Sequence, residues 1–198
     1  MPRRAGLNKE VVVAAAARLL DEEPSRELSL TMVASRLGVR VPSLYNHIGG
    51  LDDLRQAVAV HAVRQLGDRL GQAAIGRSGE DALYAIAWAY RDFANQHKGM
   101  HRATQRAPEP GQDELEEAAG VVLGILARVL EPFELSHTEQ IHVIRALRAL
   151  VHGFVTLEQA GGFGLPVDLD ESFRYLTGIY VQQVAGASAT AATAGSAP

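Results

Sequence analysis

Few residues in this chain have the types and spacing to do covalent or metal chemistry. Its 198 residues include no cysteine, which excludes thiol catalysis, a disulfide framework and thiolate zinc sites. His97 and His101 stand four apart, the spacing of two metal ligands on one helical face. Gly99 lies between them and no third ligand is near, so they read as helix-end histidines. His142, Arg145 and His152 fall near one face of a later helical segment, with Glu158 beyond. They read either as satisfied polar groups in a helical bundle or as the polar lining of a ligand cavity. Tyr84, Trp88 and Phe93 read as core before they read as a cofactor box. No Ser/His/Asp arrangement or phosphate loop is visible, and the glycines at 161, 162 and 164 follow a helix, so they form a turn. The expectation is no enzyme, no cofactor and no metal.

The informative stretch is Ser29 to His47. Leu30, Val33, Ala34 and Leu37 recur at i, i+3, i+4 and i+7 and give one helix an apolar stripe. Gly38 ends it in the left-handed position that helix C-termini favour. A short helix over about 41–48 follows, with Pro42 in its first turn, where a missing N–H costs nothing. It buries Leu44 and Ile48 and leaves Arg40, Val41, Ser43, Tyr45, Asn46 and His47 outward. Two such helices form a helix-turn-helix, and a helix presented this way fits the DNA major groove. The pattern also fits a plain helical hairpin in an all-α core.

These residues need a scaffold, and the rest of the chain reads as helix, with no strand-like alternation. A first helix runs from about Lys9 to Glu22, capped by Asn8. Further helices follow from about Leu51 to Leu70, Glu80 to His97, Gln112 to Leu130, Ser136 to Gln159 and Asp168 to Val184, about nine in all. The Ala-, Ser-, Thr- and Gly-rich end, 187–198, reads as a disordered tail. The net charge is −4, which argues against a surface that binds nucleic acid by charge everywhere. Residues 1–55 hold eight basic and seven acidic side chains, so a DNA contact there would be local. No apolar run approaches the ~20 residues of a membrane span, and the N-terminus does not look like a secretory signal.

The runs 30–39 (LTMVASRLGV) and 42–48 (PSLYNHI) resemble the helix-turn-helix of the tetracycline-repressor (TetR) family. With the first and fourth helices, that match covers about residues 7 to 66. The segments 103–108 and 152–166 resemble the branch of that family with a WHG-type C-terminal domain, although Val151 stands where the branch name would put tryptophan.

The resemblance implies base reading by Arg40, Val41, Pro42 and Ser43. It implies DNA contact near Thr31, phosphate contact by Tyr45 and His47, and a place for Asn46 in the same face. Arg40, the long donor of the set, is assigned to guanine. Two departures bear on this. Leu51 replaces a common lysine at the start of the fourth helix, and Arg40 replaces a serine that usually caps the recognition helix.

The resemblance also implies a cavity among the fifth to eighth helices, with Tyr84, Trp88, Phe93, Gln105, His142, Arg145, His152 and Glu158 as its candidate lining. It implies a dimer through the last two helices. Phe173, Leu176, Tyr180 and Val184 were expected at that interface, with Ala149, Gly153 and Ala160 permitting close packing. The overall expectation is an all-α protein, with a helix-turn-helix domain over 1–50 and a regulatory and dimerising domain over 51–186. Its function would be that of a cytoplasmic regulator, a repressor that binds a palindromic double-stranded operator as a homodimer and answers a small-molecule effector. The alternative is a helical small-molecule-binding or enzymatic domain without DNA binding.

Overall fold

Helix starts are fixed where a side chain catches backbone N–H groups that have no partner inside the helix. In the computed structural model, which describes residues 6–194 and side chains up to 186, Asn8 Oδ1 accepts from the Val11 N–H at 2.8 Å and opens α1 (Lys9–Glu22). Ser29 Oγ accepts from Met32 N–H at 3.3 Å and opens α2 (Leu30–Leu37). A short α3 (Val41–Leu44) and a long α4 (Leu51–Ala74) follow. Then come α5 (Gly79–Gln96), α6 (Lys98–Ala103), α7 (Asp113–Leu130), a 3-10 turn (Glu131–Phe133), α8 (His137–Gln159) and α9 (Leu169–Ala194). Ser136 and Glu139 form a full capping box at α8. The described residues contain no strand. None of their helices is long and apolar enough to cross a membrane.

The chain divides into two units. One holds the chain up to Gln65 together with Gln96–Gly120, and the other holds Leu66–Asn95 with the chain from Val121 onward. This differs from the expected cut at 50/51, because α4 runs on without a break and α6 packs with α1.

In the first unit, Val12, Ala16, Val33, Leu44 and Leu54 are buried together in the core from four helices. The unexpected element is α6. A Cβ on Gly99 would lie 2.2 Å from the Leu20 carbonyl carbon and oxygen, so only glycine permits α6 to approach α1 this closely. Asp21, near the end of α1, secures the same contact. One carboxylate oxygen accepts the Gly99 and Met100 N–H groups, each at 3.0 Å, and the other meets His97 Nδ1 at 2.8 Å. A carboxylate from α1 therefore caps α6, whose own preceding residue makes no side-chain cap.

The second unit is built around a buried cation. Arg91 on α5 is only 4% exposed. Its Nε donates to Glu158 of α8 at 3.1 Å and its Nη1 to Asp170 of α9 at 2.7 Å. Its guanidinium also lies about 5 Å from the ring centroids of Trp88, Phe154 and Phe173. Trp88 meets Phe173 edge-on, with centroids 5.0 Å apart. The Arg91 hydrogen bonds hold the Glu158 carboxyl below the usual carboxylate range.

Two helix bounds depart from expectation. The third helix was read over 41–48, but α-helix covers Val41–Leu44, and both His47 and Ile48 donate to the Leu44 carbonyl, closing a turn. The last helix was expected to end near Ala185, with a tail over 187–198. It continues through Ala194, in keeping with alanine's high helix propensity, and 195–198 lie outside the described residues.

These contacts set two expectations for chemical unfolding. Gly99→Ala should lose about 1–3 kcal/mol through overpacking against α1. Gly120→Ala, with open space around it, should instead gain roughly 0.5–1 kcal/mol from helix propensity. Equal effects would contradict the close-approach account. Glu158→Ala should cost about 3 kcal/mol, because it leaves buried Arg91 short of its main counter-charge. The Glu158 contribution should be intact above the ordinary carboxylate pKa and be lost as pH falls through the lowered folded value. An unchanged urea midpoint in the variant would contradict it.

Candidate nucleic-acid interface

The helix-turn-helix is held from beneath. Val33 and Leu44 have no exposed surface and Ile48 is 3% exposed, so α2 and the recognition segment share one apolar seam. The turn between them needs Gly38 at φ +67°. The Gly38 N–H reaches the Ser35 carbonyl at 3.2 Å and the Val39 N–H reaches that of Ala34 at 3.0 Å, which satisfies the end of α2. With Leu44 locked underneath, the rest of the segment has to face outward. Arg40, Pro42, Tyr45 and Asn46 are exposed, Val41, Ser43 and His47 half-exposed, and Thr31 is exposed on α2. The eight residues expected at DNA therefore all keep accessible surface.

Charge narrows which cations are available there. Arg36 is engaged by Glu22 and Arg26 by Glu23. Among the described residues no carboxylate bridges Arg40, which leaves its guanidinium available to an outside acceptor. Arg40 occupies the N-cap of α3 and makes no side-chain cap bond, as its replacement of serine implies. At the next helix start, Leu51 is followed by Asp52 and Asp53. Asp53 accepts the Gly49 N–H at 2.7 Å and Asp52 pairs with Arg55, so acidic groups directly follow Leu51 in the first turn of α4.

The residues expected at a dimer interface do not share one accessible face. Phe173 is fully buried, Tyr180 and Val184 are buried, and Leu176 is half-buried, so their stripe packs into the second unit's own core. An apolar stripe on a helix says that one side is covered but not whether its own chain or a second chain covers it. The outward side of α9 carries Tyr175, 75% exposed, and Ile179, 46% exposed. On α8, Ala149, Gly153 and Ala160 are exposed, and Leu157 is 50% exposed. Sequence reasoning did not single out Tyr175, Ile179 and Leu157 as exposed apolar positions. The signal available was a second apolar position in each helix, out of phase with the first stripe.

The expected ligand residues are also dispersed. Phe93 is fully buried core, and Tyr84 and Trp88 are half-buried. Glu158 is spent on Arg91 and on Asn95 Nδ2, at 2.9 Å. His142, Arg145 and His152 are exposed along α8, and Gln105 bonds the His101 ring and carbonyl. Of the two histidines at metal spacing, His97 meets Asp21 and His101 is buried beside Gln105. None of the eight ligand candidates lines the open cleft of about 870 Å³ that lies within the first unit. That cleft has an apolar floor and a charged rim, and no spacing pattern in the sequence pointed to it.

Comparison with known proteins matches this architecture. The family model described as "Tetracyclin repressor-like, C-terminal domain" matches residues 83–180, which include both segments 103–108 and 152–166. The uncharacterized HTH-type transcriptional regulator YobS of Bacillus subtilis is 33% identical over 175 residues, covering 88% of this chain and 91% of the relative. The uncharacterized HTH-type transcriptional regulator Rv0681 of Mycobacterium tuberculosis is 35% identical over 161 residues, covering 80% and 73%. Among solved structures, a TetR variant from Acinetobacter baumannii AYE in complex with minocycline superposes with a TM-score of 0.69 at 22% identity, covering 92% of this chain and 98% of that one.

Proposed function

The chain belongs to the TetR family of transcriptional regulators, and from that premise we propose that it is a repressor. In this reading it binds a palindromic operator as a homodimer, and a small molecule releases it. Its operator places its work in the cytoplasm. The observation that carries the reading is the outward set Arg40, Pro42, Tyr45 and Asn46, held over buried Leu44, with no carboxylate bridging Arg40 among the described residues. Phosphate contacts fix register and base-edge contacts set sequence. Arg40, at the start of α3, is the base reader, and Tyr45 and His47 grip the backbone. Two-fold symmetry doubles a small set of contacts into a specific site. Response to a ligand is supported by the solved structure of like fold that is in complex with minocycline.

The dimer face in this reading is the outward side of α8 and α9. Tyr175, Ile179 and Leu157 supply apolar surface there, and Ala149 and Gly153 allow close helix approach. Ile179 is 46% exposed in the single chain and lies outside the unit's buried core. Ile179→Glu should therefore yield folded monomers by light scattering, through a charge buried without a partner. A dimer that survives this change moves the interface elsewhere.

A gel shift with the protein's own upstream DNA tests the function, and we expect a complex that weakens steeply with salt as phosphate counterions are displaced. In that assay Arg40→Ala should cost about 1–3 kcal/mol and relax preference at one position per half-site. His47→Ala should weaken matched and mismatched sites alike. If Arg40→Ala also lowers both equally, Arg40 is a phosphate contact and its assignment fails.

A further inference from the structure

We infer that the open cleft of about 870 Å³ within the first unit is an effector site for an amphipathic organic anion, meaning an apolar body with a single acidic head. The inference rests on the ligand-responsive reading above and gives that reading a place and a chemistry. The volume lies within the range of small-molecule sites. The floor is apolar, with Leu28, Val58 and Leu115 each at most 5% exposed.

The rim selects the head group. Arg102, in the last turn of α6, and Arg106, three residues past its end, are both exposed, and among the described residues no carboxylate bridges either. Three of the other charged groups have partners of their own. Arg55 is held by Asp52, and Asp53 accepts the Gly49 N–H. Glu27 and Glu109 also line the cleft, but they come from separate segments. Two guanidiniums on one rim suit a single carboxylate, sulfonate or phosphate. The four carboxylates of the lining, Glu27, Asp52, Asp53 and Glu109, disfavour a ligand with several negative charges.

The same cleft is placed to influence DNA binding. Val58 lies on α4, directly after the recognition segment, and Leu28 immediately precedes the cap of α2. The third wall, α6, is tied to α1 through Asp21. A ligand seated between these walls favours whichever spacing of α4, α6 and the start of α2 it fits best. It shifts operator affinity only by its differential affinity for that spacing.

The test uses the full chain and 8-anilinonaphthalene-1-sulfonate, an aromatic body bearing one sulfonate. The wild type should bind it saturably, with a fluorescence rise, and the dye should weaken operator binding. The double variant Arg102→Glu, Arg106→Glu should bind the dye at least tenfold more weakly. Both positions are exposed, so the fold should be unaffected. Ala59→Trp, which fills the cleft without altering charge, should lower dye binding as well. No saturable dye binding by the wild type, or equal dye binding by wild type and both variants, overturns the site. Dye binding that needs the two arginines but leaves operator affinity unchanged overturns its role as an effector site. A dye-free chain that binds no operator overturns the regulatory reading itself and is scored separately, by the gel shift.

Discussion

The contact between α1 and α6 constrains the whole first unit. Backbone meets backbone at Gly99 and Leu20, and Asp21 completes the contact by accepting two N–H groups of α6 and meeting His97. The approach removes any freedom for a side chain at position 99. The carboxylate answers the N–H groups that a six-residue helix cannot satisfy internally. Helices from distant parts of the sequence thereby become one body with the helix-turn-helix. The cleft between α4, α6 and the start of α2 owes its third wall to this contact.

The second unit meets a similar problem with the opposite charge. Arg91 is buried among aromatic rings, a position that would be costly if unpaired. Glu158 and Asp170 reach it from two other helices, so one cation joins α5, α8 and α9. Arg91, Trp88, Phe154 and Phe173 form one packed cluster in the interior of the second unit. In each unit a single charged side chain joins segments far apart in sequence.

The sequence made the local rules legible and left the long-range ones hidden. Asn8, Ser29 and Gly38 announced their helix ends because capping depends on residues within three or four positions. Val33, Ala34 and Leu44 announced the core of the helix-turn-helix because their spacing matches the helical period. α6 was missed because its cap comes from Asp21, 78 residues before Gly99. Phe173, Tyr180 and Val184 were placed at an interface because periodicity marks a covered side without naming what covers it. Glu158 was counted as a ligand group because no local pattern reveals Arg91, 67 positions away. The outward face of the helix-turn-helix was more legible than the cleft for the same reason, since its residues lie within 17 positions of one another and the cleft's do not.

The central claim is that the outward face over Leu44 reads DNA sequence in a two-fold pair. Selection of bound fragments from random double-stranded DNA tests it most directly. The account predicts enrichment of one inverted repeat, with its half-sites on one face of the duplex. Each half-site should carry a guanine whose selection disappears when Arg40→Ala is used instead. Fragments that stay random after repeated rounds, or a single asymmetric motif insensitive to Arg40→Ala, would contradict it.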